Sequence, residues 1–155
     1  MAIIQFNHLT TEEKELIYRS PALVTYLIGG VDRNFDNAEE AHAKHTVHFR
    51  TNTGDPMLFD FFKEVKLIFI SQLEELVKQY GDLQSEKRTQ ILSDELAKLN
   101  DILPKIDSIY GRVLLKSLRS LAHSLAQASG GILGFLGVSY EEKHLVDLKM
   151  INIYS

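Results

Sequence analysis

The sequence predicts an all-α single domain, a bundle of about seven helices with an internal pseudo-two-fold repeat. Apolar residues recur at helical spacing along the chain, cap residues precede most of those stretches, and no long run alternates apolar with polar as a half-buried strand would. The 155 residues fit one domain, and 45% hydrophobic with 25% charged residues is the balance of a globular chain with a real core. No composition shift or low-complexity stretch divides it.

The elements follow in order. Thr10 with Glu13 three residues on reads as a capping box that opens a first helix. Ser20-Pro21 reads as the N-cap and first turn of a second helix, which Gly29-Gly30 would stop. A loop from Val31 to Asp36 leads to Asn37, the cap of a third helix reaching about Arg50. Asp55-Pro56 opens a long fourth helix whose wide stripe (among others Leu58, Phe61, Val65, Ile68, Phe69 and Val77) places it at the centre of the core, with Gly81 as its end. A fifth runs from Ser85 to Leu103, where Pro104 stops it, and a sixth from Asp107 to Ala128, ahead of Ser129-Gly130-Gly131. Ser139 with Glu142 opens a seventh that reaches about Leu148, and Met150 to Ser155 reads as a tail.

The repeat rests on two matching segments. Asn37-Ala38-Glu39-Glu40-Ala41-His42 parallels Ser139-Tyr140-Glu141-Glu142-Lys143-His144, and each follows a helix, a Gly-Gly pair and a loop. The half-repeats cover about residues 10–50 and 107–148. Asn37 with Glu40 and Ser139 with Glu142 are ordinary capping boxes, about 1 kcal/mol each. Glu39 and Glu141 fit a helix N-terminus electrostatically, and each lies three residues before a histidine on the same helix face.

Composition narrows the function. A net charge of −4 argues against a nucleic-acid binder. The absence of cysteine excludes disulfides, thiolate metal sites and cysteine nucleophiles within this sequence, and fits a reducing compartment. Ala2-Ile3-Ile4 has no basic residue before it, so no signal peptide is expected and the location expected is cytoplasmic. Ser120 to Tyr140 holds no Asp, Glu, Lys or Arg, but its serines, His123, Gln127 and four glycines argue against a spanning helix. It reads as a helix end followed by an apolar connection, with peripheral membrane contact through Ile132, Leu133, Phe135 and Leu136 as the lesser reading.

One loop carries a candidate for chemistry. Asp32, Asn34 and Asp36 alternate, so their oxygens can converge, and Glu39 can close the site from the next helix. Hard cations need clustered oxygen ligands of this kind, while an Asx-turn leading into a cap is the plainer account of the same residues. The loop is not an EF-hand, because Asn37 and Ala43 stand where that motif has its glycine and its final glutamate. His42, His45 and His48 at three-residue intervals drift around the helix and coordinate poorly as a set, which leaves His42 as the weaker ligand candidate. Glu39-x-x-His42 and Glu141-x-x-His144 also match the paired motif of di-iron carboxylate bundles, with Glu13, Glu64, Glu74 or Glu95 as the further glutamates, although both motifs sit in the first turn of their helices. The Gly130 to Gly137 stretch lacks the Lys-Ser/Thr of a phosphate loop.

Ser20-Pro21-Ala22-Leu23-Val24-Thr25-Tyr26-Leu27-Ile28-Gly29-Gly30-Val31-Asp32, followed by Phe35-Asp36 and Glu39, resembles the TerB-like (tellurite-resistance) helical family, and Ala128 to Glu142 resembles its second half-repeat. The resemblance implies an all-helical, pseudo-symmetric fold, a bacterial stress-response role and metal-binding acidic residues, here Asp32, Asp36 and Glu39. Two departures bear on it. Arg33 stands where the family has glycine, and Gly137-Val138 stand where a second-half aspartate is expected, which puts a second acidic site in doubt. The leading expectation is a soluble, cytoplasmic, non-enzymatic module that binds a divalent cation (calcium, magnesium or zinc) through Asp32, Asp36, Glu39 and His42, or a protein partner. The alternative is a di-iron or other metal-dependent enzyme using the two Glu-x-x-His segments. Tyr26 and Phe35 are expected in the core.

Overall fold

The computed structural model describes residues 3–29, 55–128 and 144–154. Five α-helices lie within them: α1 Thr11–Gly29, α2 Phe59–Tyr80, α3 Ser85–Ala97, α4 Leu99–Ile102 and α5 Ser108–Ala128. Short 3-10 turns precede α1 and α2 and follow α4. No strand occurs among the described residues, so the all-α class holds. The expected third helix, residues 139–143 of the seventh, and all but His144 of the two matching segments on which the repeat rests lie outside the described residues.

α1 is one helix where two were expected. The Thr10–Glu13 box forms at its start: the Glu13 amide donates to Thr10 Oγ1 at 3.2 Å and the Thr10 amide to Glu13 Oε1 at 2.9 Å. Ser20-Pro21 then lies inside the helix rather than between two. An interior proline costs about 3 kcal/mol, in part because the carbonyl four residues back loses its donor. Here that carbonyl is Ile17, and the buried Ser20 hydroxyl donates to it at 2.7 Å. Thr25 Oγ1 likewise donates to the Pro21 carbonyl at 2.8 Å. The serine taken for a cap repairs the gap that the proline makes, and burial of this half of α1 supplies the remaining stabilisation.

Every residue from Ser20 to Gly29 is buried, so α1 rather than α2 is the central helix. A helix apolar all round needs neighbours all round, and α1 packs on α2, α3 and α5. Tyr26 is a core residue, as expected, with the Arg88 guanidinium of α3 5.2 Å from its ring centroid. α2 is amphipathic. Phe61, Phe62, Val65, Phe69, Leu73 and Leu76 are buried, but Ile68 and Val77 keep 38% and 37% of their surface exposed, so the stripe is narrower than the sequence predicts. Asp55 opens α2's lead-in turn as expected, accepting from the Met57 amide at 2.9 Å.

The expected fifth helix is interrupted. α3 ends at Ala97, Lys98 is a turn, α4 adds one turn, and Pro104 sits inside a 3-10 turn, Leu103–Lys105, rather than simply ending a helix. α5 starts as expected, with Asp107 Oδ2 accepting the Tyr110 amide at 3.0 Å. The N-terminal turn Ile4–Phe6 inserts Phe6 edge-on against Tyr18, Phe61 and Tyr110, with ring centroids 5.6, 6.3 and 5.6 Å away. Burial pushes the Tyr18 and Tyr110 phenols above their ordinary values.

Candidate functional site

The expected ligands Asp32, Asp36, Glu39 and His42, together with Asn34, Phe35, His45, His48 and Glu141, lie outside the described residues. The described helix that precedes Asp32 in sequence is α1. Asp32 follows three residues after Gly29, the last residue of α1 and itself buried. In sequence, Asp32–Glu39 thus comes shortly after a helix half in which every residue from Ser20 to Gly29 is buried.

Of the glutamates offered as further iron ligands, Glu13 is held by the Thr10 amide and the Lys105 ammonium, and Glu95 lies 3.7 Å from Arg19 and 2.9 Å from Lys98. Glu64 is half-buried and acts on the Tyr18 phenol, and Glu74 is exposed. Among the described residues, no three His, Asp or Glu side chains are grouped as a metal would need.

His144 opens the second described region of interest. Residues 144–146 are helical, and the Lys149 amide donates to the His144 carbonyl and the Leu148 amide to that of Leu145, both at 3.0 Å. This is a Schellman closure, with Leu148 in the left-handed position at φ 50°. A non-glycine residue there costs about 1–2 kcal/mol. Leu148 is fully buried, and burying a leucine recovers about as much.

The segment beyond it, read from the sequence as a tail, is an anchored strap. Asn100 of α4 donates to the Met150 carbonyl at 2.8 Å and accepts from the Asn152 and Ile153 amides at 2.9 and 3.1 Å. Arg119 of α5 donates through Nε to the Asp147 carbonyl at 3.0 Å and through Nη2 to the Ile151 carbonyl at 2.9 Å. His123 pairs with Asp147 at 2.8 Å, and Ile151 is fully buried. The strap ends with Tyr154 lying over Gly111, where an added Cβ would collide with its hydroxyl. The Arg112 guanidinium sits 4.6 Å from the Tyr154 ring centroid.

Two clefts open on these elements. One, about 280 Å³, lies between the N-terminal turn, α1 and α2, with Phe6, Lys14, Tyr18, Glu64 and Ile68 in its walls. The other, about 250 Å³, lies between α5 and the strap, walled by Arg112, Leu115, Lys116, Arg119 and Tyr154. The basic spacing on α5 was readable in the sequence, but nothing local showed that the chain's end would fold back over it. No described helix is long and apolar enough to cross a membrane. No family model, curated protein or solved structure matches the chain.

Proposed function

We propose that the chain is a non-enzymatic, TerB-like helical binding module with pseudo-two-fold halves, stress-associated, holding a divalent cation through Asp32, Asp36 and Glu39 with His42 beside them, or a protein partner. Two features of the sequence support it above the rest: Asp32, Asn34 and Asp36 alternate ahead of Glu39, and Asp32 stands three residues beyond Gly29, the last described residue of the buried half of α1. The alternating oxygens of Asp32, Asn34 and Asp36 suit calcium or magnesium, and His42 brings zinc into range.

Elemental analysis of tag-free protein prepared without chelator tests the reading, followed by calorimetric titration of the Asp32→Ala, Glu39→Ala double variant. The expected result is about one divalent ion per chain, lost in the variant while the helical spectrum is kept. Unchanged affinity in the variant overturns the ligand assignment. About two irons per chain overturns the binding-module reading in favour of an enzyme built on the Glu-x-x-His pairs.

A further inference from the structure

The cleft between α5 and the strap gathers positive charge that no carboxylate of its described walls neutralises. Arg112, Lys116 and Arg119 follow one another at spacings of four and three, which sets them along one face of α5. Like charges so placed repel, and here they do so in a chain whose net charge is −4. No carboxylate lines the cleft among the described residues. Of the described acids, Asp107 caps α5 and acts on the Tyr154 phenol from outside the lining, and Asp147 pairs with His123. Arg112 and Lys116 form no ion pair among the described residues.

The walls are also set in place. Arg119 is fixed by its two bonds to the strap, and the Arg112 guanidinium lies over the Tyr154 ring, so both are partly ordered before an anion arrives. Buried Leu115 contributes an apolar wall. The Tyr154 hydroxyl is buried against Gly111 without a hydrogen-bond partner among the described residues, so the residue meets the cleft as a wall. A volume of about 250 Å³ suits a phosphoryl group with a small carrier.

We propose that this cleft binds the phosphate-type oxyanion of a small phosphorylated molecule, with Arg112 and Lys116 as its charged contacts, Arg119 as the bridge to the strap and Tyr154 as its wall. Guanidinium forks and an ammonium are the groups that meet such oxygens best. The lining residues lie on α5 and the strap and include none of Asp32, Asp36, Glu39 and His42.

Inorganic pyrophosphate, titrated at low salt with amide chemical shifts as the readout, is the probe. In the wild type the shifts should concentrate on residues 111–119 and on Tyr154. Arg112→Gln with Lys116→Gln should weaken binding by about tenfold or more, while Lys78→Gln on exposed α2 surface should leave it within about twofold. Tyr154→Phe keeps the ring and should leave binding within about twofold, whereas Tyr154→Ala removes the wall and should weaken it. Failure of pyrophosphate to bind at millimolar concentration, shifts scattered away from the cleft, or equal weakening by Lys78→Gln overturns the proposal. So does binding confined to phosphatidylcholine vesicles carrying a phosphoinositide, because that assigns the charge to a membrane headgroup. Should the double variant fail to fold, the wild-type shift map decides.

Discussion

The buried half of α1 and the C-terminal strap are held by opposite means. α1 is fixed by what surrounds it: Ser20 to Gly29 are enclosed, and the polar bonds inside it span three or four residues, Ser20 to Ile17 and Thr25 to Pro21. The strap has little regular structure, and side chains far away in sequence grip its backbone, Asn100 from about 50 residues off and Arg119 from about 30. Apolar burial makes α1 part of the global unfolding unit, while the strap depends on a few hydrogen bonds and the seats of Leu148 and Ile151. The strap is thus the element that can open by itself.

Removing Asn100 should give the largest separation between the two. Asn100→Ala deletes three hydrogen bonds and leaves one carbonyl and two amides of the strap without a protein partner, at a cost of about 2–4 kcal/mol. Hydrogen exchange should show protection lost over residues 150–154 while the interior of α1 keeps its own. Equal loss in both regions breaks the comparison and makes the strap part of the same cooperative unit.

The next test is on α1. Ser20→Ala uncovers the Ile17 carbonyl in the core and should cost about 1–3 kcal/mol in global stability by urea unfolding. Pro21→Ala returns the missing amide donor. The double variant should therefore be more stable than Ser20→Ala alone, a coupling that a double-mutant cycle measures. Additive losses would mean that the serine is not filling the gap left by the proline.

These two residues also show what was legible in the sequence and what was not. Ser-Pro carries the same local signal at a helix start and inside a buried helix, and only the surroundings of residues 20–29 decide between them. Thr10 with Glu13, Asp55 ahead of its turn and Asp107 ahead of α5 were all readable, because each acts within four residues. Phe6, Asn100 and Arg119 were not, since their partners lie across the fold and no spacing announces them. The break at Lys98 gave no signal of comparable strength. The acidic candidate site is the reverse case: Asp32, Asp36, Glu39 and His42 are conspicuous in sequence and lie outside the described residues.

A smaller effect is expected at Gly111. Alanine is the better helix residue by about 1 kcal/mol, so Gly111→Ala in the interior of α5 should stabilise unless the strap forbids it. The added methyl collides with the Tyr154 hydroxyl, so the variant should lose stability and release the strap end. In a Tyr154→Ala background the same change should become stabilising. A gain of stability in the wild-type background would show that Tyr154 gives way freely and that the strap end is loosely seated.

The smallest expected effect lies at the start of α1, where local and long-range contacts meet on one side chain. Glu13 completes the cap with Thr10 and also accepts from Lys105, next to the point where His8 meets the Lys105 carbonyl. The hydrogen bond from Lys105, with that from the Thr10 amide second, holds the Glu13 carboxyl below its ordinary value of 4.5. A carboxyl whose folded pKa is depressed contributes stability above the unfolded pKa, and loses it as pH falls through the folded one. Glu13→Gln should therefore cost a small, constant amount of Tm from neutral pH down to the ordinary carboxylate range. Below that range the wild type should lose its advantage, because its own carboxyl is then protonated. A difference that stays constant down to about pH 2 would mean that the contact acts through shape rather than charge. A surface pair of this kind should respond to salt in the same direction, since ions screen the Lys105 charge without touching the buried bonds of α1.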